Sequence, residues 1–245
     1  MQPVKPTLSV IIPALNEEAN IAAAVDETLR AIEGRFADHE LLLFNDGSTD
    51  RTGAIMDQLA ASNPRIRVTH NPQSRNLGGV FKQGGALARH EYLLMVPGDN
   101  ENPGSALLAP FAAIGQADIV IPYTTNQQVR PFGRRVASRA YVILMNVLFR
   151  QRLKYYNGTV IHRTARLRTI TIRTNSFSYQ SEALIKMLRA GASFVEVGIE
   201  IQPCARRQSR AFRWRNIRDV GRAIGQLLRE VYGSPHSPQT PISHG

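Results

Sequence analysis

The sequence predicts an α/β domain built on a mostly parallel sheet with helices on both faces. Three observations carry this reading. Short, nearly continuous apolar runs alternate with amphipathic stretches through the first half, as in strands buried on both faces and joined by crossover helices. The chain has 245 residues, 43% of them hydrophobic, enough for one full core. Acidic or amide-rich clusters follow three of the apolar runs, at strand ends where an open parallel sheet holds ligands.

The elements follow in order. LSVIIP (8–13) reads as a strand and 16–34 as a helix stopped by Gly34. ELLLFND (40–46) is a second strand, and 48–62 a helix for which Ser48, Thr49 or Asp50 supplies the cap. RIRVTH (65–70) is a third strand; the glycine-rich stretch 75–79 reads as a turn into a helix near 80–90. YLLMVP (92–97) and ADIVIP (117–122) are the fourth and fifth strands, separated by a helix over 105–115. The second half is less regular: a helix over 134–150, a short strand at 157–163, a helix at 178–191 and an alternating strand at 193–203. A helix over 212–231 gathers Ile217, Val220, Ile224, Leu227, Leu228 and Val231 on one face and Arg215, Arg218, Arg222 and Arg229 on the other. Residues 1–122 are expected to form a nucleotide-sugar half and 123–232 an acceptor half of the same domain, with 233–245 a disordered Pro/Ser-rich tail.

Charge divides the same way. Residues 1–120 carry a net −5 and residues 121–245 a net +16. A basic half of this size points to an anionic partner, either phosphate, nucleic acid or a membrane surface, or else to an arginine-rich solvated face. Aromatic residues are only 7%, and no DNA or RNA motif appears, so nucleic acid is not the expected partner. The single cysteine, Cys204, excludes a disulfide framework and fits a reducing compartment. No signal peptide is read at the N-terminus, and the longest apolar stretch, 140–149, is about half of a bilayer crossing. The expected location is cytoplasmic, peripheral at the inner face of the membrane.

The turn after the first strand is PALNEE rather than a glycine-rich phosphate cradle, and no G-x-x-x-x-G-K-[ST] loop is present. A diphosphate on this sheet therefore needs another positive partner. GDNE (98–101) ends the fourth strand in two carboxylates, Asp99 and Glu101, which suit a hard divalent cation or form a polar turn.

LSVIIPALNEEANI, LLLFNDGSTDRT, RNLGG with KQGGALA, and VPGDNENP resemble, in order and spacing, the family 2 inverting glycosyltransferases of GT-A fold, on the side of the dolichol-phosphate mannose synthase-like, polyprenyl-phosphate branch. The resemblance is clear over 8–122 and weaker over 130–210. It implies a nucleoside diphosphate sugar donor, GDP- or UDP-linked, and Mg²⁺ or Mn²⁺. It places Pro13 and Glu17 at the nucleobase, with Leu15 where the family often has Tyr, and Phe44 and Asp46 beside the nucleoside. The D-x-D motif falls on Pro97-Gly98-Asp99, so Gly98 and Asp99 would meet the donor while Asp99 and Glu101 hold the metal.

For the acceptor, NGTVIHR resembles the S-G-F-R-x-x-R segment, and RRQSR a closing basic loop, with Lys154 where relatives often have Asp. Arg130, Arg134, Arg163, Arg207 and Arg210 are the candidates for holding an anionic acceptor. A hydroxyl acceptor needs a general base; a phosphate is already anionic. Glu182 is the only serious base candidate, or else a helix-face carboxylate paired with Lys186. Scarce bases and abundant arginines favour a polyprenyl-phosphate-type acceptor over a soluble hydroxyl one.

Overall fold

A computed structural model describes residues 5–100, 103–201 and 214–233, with side chains in the last segment described from Val220 onward. Its centre is a seven-stranded sheet ordered β3-β2-β1-β4-β6-β5-β7. The strands are β1 (Thr7–Ala14), β2 (Asp38–Asp46), β3 (Ile66–Asn71), β4 (Tyr92–Met95), β5 (Ile119–Thr124), β6 (Ile161–Arg163) and β7 (Phe194–Ile199). All run parallel except β6, which lies antiparallel between β4 and β5. Strands β6 and β7 come from the basic half, so the two halves share one sheet.

Both faces are covered, as the unbroken apolar strands require. Odd and even positions split between them. Val10, Ile12, Leu41 and Leu43 pack on one face with residues of α1 (Ile21–Ile32), α2 (Thr52–Ser62) and α4 (Leu108–Ala112). Ile11, Leu42 and Phe44 pack on the other with residues of α3 (Asn76–Leu87), α5 (Phe132–Phe149), α7 (Tyr179–Arg189) and α8 (Trp214–Tyr232). A single turn, α6 (Thr164–Leu167), follows β6.

Several boundaries differ from the sequence expectation, each for a local reason. Residues 16–20 precede α1 because Asn16 takes a left-handed backbone, φ 57°. Residues 48–51 precede α2 because their polar groups bond to the loop after β1. None of Ser48, Thr49 and Asp50 is the N-cap: that position is Arg51, and Asp50, one residue earlier, accepts the Thr52 N–H at 2.9 Å. The glycine-rich stretch is not a turn but the first turn of α3: a side chain at Gly78 would meet the backbone of Thr174 and Asn175 within 3 Å, so glycine lets the helix start against that loop. The helix expected at 105–115 splits into a 3₁₀ turn, Gly104–Leu107, and the short α4.

The helix at the C-terminal end uses its apolar face for packing. Ile224, Leu227, Leu228 and Val231 join the core, while Arg222 and Arg229 are exposed. Glu230 fixes it through Lys186 at 2.7 Å and Arg173 at 3.2 Å, and the Tyr232 hydroxyl donates to the Leu148 carbonyl at 2.8 Å.

Gly78→Ala is expected to lower unfolding free energy by about 1–3 kcal/mol, because its Cβ meets backbone that cannot rotate away. Gly133→Ala, which meets nothing within 4 Å in α5, is expected to be neutral or slightly stabilising. Urea titrations of the two variants check the contrast; equal effects would show that α3 does not abut the 174–175 loop.

Candidate active site

The crevice lies at the carboxyl ends of β1, β2 and β4. The loops after β1 and β2 are stitched into one rim. Asn16 Oδ1 accepts the Thr49 N–H at 2.8 Å, and the Asn16 N–H donates to Ser48 Oγ at 3.0 Å. The Glu17 N–H donates to Thr52 Oγ1 at 2.8 Å, and the Arg51 N–H to the Glu18 carboxylate at 3.0 Å. Hydrogen bonds from Thr52 hold the Asp50 carboxyl below its ordinary range, so it stays an acceptor. Glu17 is half-buried on this rim and accepts the Asn20 amide at 2.7 Å. Leu15 is exposed beside it, and Pro13 is buried within β1.

Asp46 ends β2 buried and saturated. One oxygen accepts Asn71 Nδ2 and the Arg75 N–H, both at 2.9 Å; the other accepts Ser74 Oγ at 2.7 Å and the Asn76 N–H at 3.1 Å. Asn71 in turn forms a reciprocal amide pair with Gln83 of α3 at 3.1 Å. The carboxylate thus holds the β3–α3 loop, and no lone pair is left to offer a nucleoside. The next residue, Gly47, has φ 82° and lies against the Gln73–Ser74 backbone, so only glycine fits there. Phe44 corrects the sequence reading: it is fully buried in the core and has no face to set against a nucleoside. Asn45 bonds to His70 Nδ1 at 3.1 Å, and His70 Nε2 to Asp57 at 3.0 Å, a chain that carried no sequence signal.

Asp99 is placed by its neighbours. The Val96 and Gly98 N–H groups donate to the Ile11 and Pro13 carbonyls at 2.9 and 3.0 Å, prolonging the β4–β1 pairing to the edge of the crevice. Gly98 is buried, with Ala14, Ile21 and the Pro13 carbonyl where a side chain would stand. Asn100 is left-handed, φ 53°, and Glu27 of α1 accepts the Gly104 N–H at 2.9 Å, pinning the far end of the turn. Glu27 is another positioning residue that no motif marks. Asp99 is left half-buried at the rim. Glu101 lies outside the described residues, and among those described no three His, Cys, Asp or Glu side chains converge on one point. One carboxylate at a strand end is an oxygen donor of the kind that suits Mg²⁺ or Mn²⁺, and Asp99 would be the residue to hold such a cation.

The acceptor candidates separate. Arg130 sits at the carboxyl end of β5, with Thr124 Oγ1 at 3.2 Å, the Tyr155 hydroxyl at 3.4 Å and the Tyr155 ring beneath its guanidinium. Lys154 lies over the Tyr123 ring at 4.3 Å, at the end of the same strand. Arg134 is exposed on the first turn of α5. Arg163 is a correction: β6 runs antiparallel, so it pairs with Tyr92 at the start of β4, on the opposite edge of the sheet. There it bonds to Glu91 at 3.1 Å and lies 3.9 Å from Asp118. Arg207 and Arg210 lie outside the described residues.

Glu182 is buried in the first turn of α7. It accepts the Arg173 and Thr174 N–H groups at 2.8 and 3.0 Å and Lys186 Nζ at 2.5 Å. Its oxygens organise the 173–174 loop rather than point into the crevice as a base would. His162 is buried beside Gln180, and burial pushes its pKa down to about 3, which keeps it neutral.

Asp46→Ala is expected to cost about 3 kcal/mol of stability, since it strands buried donors. Nucleotide affinity should fall with it as the 71–76 loop loosens. Unchanged urea stability with lost nucleotide binding would make Asp46 a direct ligand instead.

Residues 9–174 match the family model described as glycosyl transferase family 2. A dolichyl-phosphate beta-glucosyltransferase of Trichomonas vaginalis is 33% identical over 94 residues, 36% of this chain and 28% of that protein. The chondroitin synthase of Pasteurella multocida is 30% identical over 137 residues, 54% of this chain and 14% of that protein. The chain therefore spans well under half the length of these relatives. Among solved structures, the glucosyl-3-phosphoglycerate synthase of Mycobacterium tuberculosis superposes with a TM-score of 0.69 at 17% identity, over 95% of this chain and 82% of that one. Other structures of that synthase hold UDP with Mn²⁺ or Mg²⁺. The fold is the GT-A fold of these enzymes, and the chain belongs to glycosyl transferase family 2.

Proposed function

We propose that the chain transfers a sugar, with inversion, from a nucleoside diphosphate sugar to a polyprenyl-phosphate-type acceptor, with Mg²⁺ or Mn²⁺ at Asp99. The observation that carries the acceptor is the state of Glu182. The one base candidate of the acceptor half spends its oxygens on two backbone amides and a lysine, while cations gather at the end of β5. An acceptor that brings its own negative oxygen requires no base. Names among the relatives support the lipid class, since dolichyl-phosphate glucosyltransferases recur there.

In this reading Asp99 holds the cation and Glu101 assists. The cation, when bound, neutralises charge on the leaving diphosphate. The stitched rim of Asn16, Glu17 and Ser48 frames the nucleoside side. Arg130 and Lys154 draw the acceptor phosphate to the far side of the sugar, and Arg134 extends the positive field outward. The acceptor oxygen forms its bond to the anomeric carbon from the face opposite the diphosphate, whose bond breaks, inverting the centre. UDP-linked donors are the first to test, because UDP is the nucleotide in the solved relatives, and GDP-linked donors the second. Among the described residues no helix is long and apolar enough to cross a membrane, so this part of the protein would meet a lipid acceptor at the bilayer surface.

Radiolabelled UDP- and GDP-sugars with Mn²⁺ and a polyprenyl phosphate should place label in the organic phase. Asp99→Ala should abolish transfer and metal-dependent nucleotide binding while the melting curve stays intact. Arg130→Ala should raise the acceptor KM by about tenfold, the loss of one charge-assisted contact of ~1.4 kcal/mol. Full activity in excess EDTA contradicts the role of Asp99, and label confined to water-soluble product contradicts the acceptor class.

A further inference from the structure

Helix α5 has two unlike sides. Its inner side is clamped: Met145 and Phe149 are buried, the Tyr141 hydroxyl bonds to Ser181 at 2.8 Å, and Asn146 bridges both backbone groups of Leu153 and the Tyr156 hydroxyl at 2.8–3.1 Å. Its outer side is apolar and exposed among the described residues, with only Arg135 set over the Phe132 ring. Phe132, Val136, Ile143 and Val147 are 75%, 52%, 56% and 72% exposed. They stand four, seven and four residues apart, which on a helix is one stripe, opposite Met145 and Phe149. Every residue from Phe132 to Val136 is exposed, so the first turns overhang the body of the domain. An apolar stripe of this extent needs an occupant.

The charge around the stripe indicates which. Arg134, Arg135 and Arg139 lie on the helix, and Arg150 and Arg152 just beyond it. No acidic residue occurs between Asp118 and Glu182. A second copy docking helix to helix would bring arginines against arginines with no carboxylate on α5 to pair them. An anionic bilayer surface satisfies both features: its headgroups meet the arginines and its acyl boundary takes the apolar residues. The location agrees, since only Pro131 separates Arg130 from Phe132.

We propose that the outer face of α5 inserts into the surface of an anionic membrane, bringing the Arg130 end of the crevice to acceptor phosphates in the headgroup layer. The inference deepens the lipid-acceptor reading and rests on it for its purpose, though not for its geometry. The apolar face of α8, by contrast, is used in the core.

The test compares the wild type with a Phe132→Ser/Val136→Ser/Ile143→Ser/Val147→Ser variant. The vesicles are phosphatidylcholine with and without phosphatidylglycerol, each at low and high salt. The wild type should bind the anionic vesicles and keep part of that binding at high salt. The variant, with an unchanged melting curve, should bind about tenfold more weakly or worse. It should transfer sugar to a water-soluble short-chain isoprenyl phosphate at the wild-type rate, yet lose transfer to a long-chain acceptor held in vesicles. Wild type that ignores anionic vesicles, or a variant that binds them equally well, overturns the proposal. So does a wild-type dimer that the substitutions dissociate without any vesicle binding. Wild type that binds vesicles through α5 but uses neither acceptor upholds the docking face and removes the acceptor reading instead.

Discussion

The structure depends on two buried carboxylates that work as clamps. Asp46 binds four donors from residues 71–76 and so fixes the start of α3. The third residue of that helix, Gly78, donates its N–H to the Asn175 carbonyl at 3.1 Å, and the loop carrying Asn175 is held in turn by Glu182. Glu182 shares Lys186 with Glu230 of α8. A single line of polar links thus runs from the crevice rim to the last described helix. The bonds to the two carboxylates are buried or half-buried, where an unpaired donor costs more than a formed bond yields, so they are more expensive to break than to keep.

That arrangement divides acidic residues by task. Asp46 and Glu182 hold the 71–76 and 173–174 loops, Glu27 steadies the turn after Asp99, and Asp99 is half-buried at the end of β4. The backbone that carries it is set by Gly98, packed against Pro13 and Ala14 where any side chain would collide. Across the sheet the sign of charge reverses. The donor edge presents carboxylates and amides, while the end of β5 presents Arg130 and Lys154, with the arginines of α5 outside them. On the proposed function, such a reversal would draw a cation-bearing donor and an anionic acceptor each to its own side.

Most of the fold was legible because each strand is an unbroken apolar run whose end is marked by polar residues. The order of elements and the crevice at the strand ends follow from that pattern alone. What escaped lies where tertiary contact overrules local preference. Gly78 and Gly79 read as a turn, yet begin a helix because another loop packs on them. Arg163 read as an acceptor ligand, yet the antiparallel entry of β6 carries it to the opposite edge, a reversal that three residues of sequence do not announce. Asp46 and Phe44 were legible as motif residues but not as clamp and core, because a motif gives position and not the direction of a side chain. Glu27 and the Asn45–His70–Asp57 chain had no periodic or spacing signal. The outer stripe of α5 was visible only as an apolar run, since which side of the helix packs inward depends on α7 and on Tyr156.

The central claim is that transfer proceeds to an acceptor that is already anionic, with Glu182 holding the fold and no protein base in the acceptor half. It is tested most directly by kcat of Glu182→Gln with saturating polyprenyl phosphate, measured at a temperature where the variant remains folded. The account predicts a loss of no more than about tenfold, with a pH–rate profile of unchanged shape. A general base contributes roughly 10²–10⁴-fold, so a loss in that range together with disappearance of the acidic limb of the profile would contradict it.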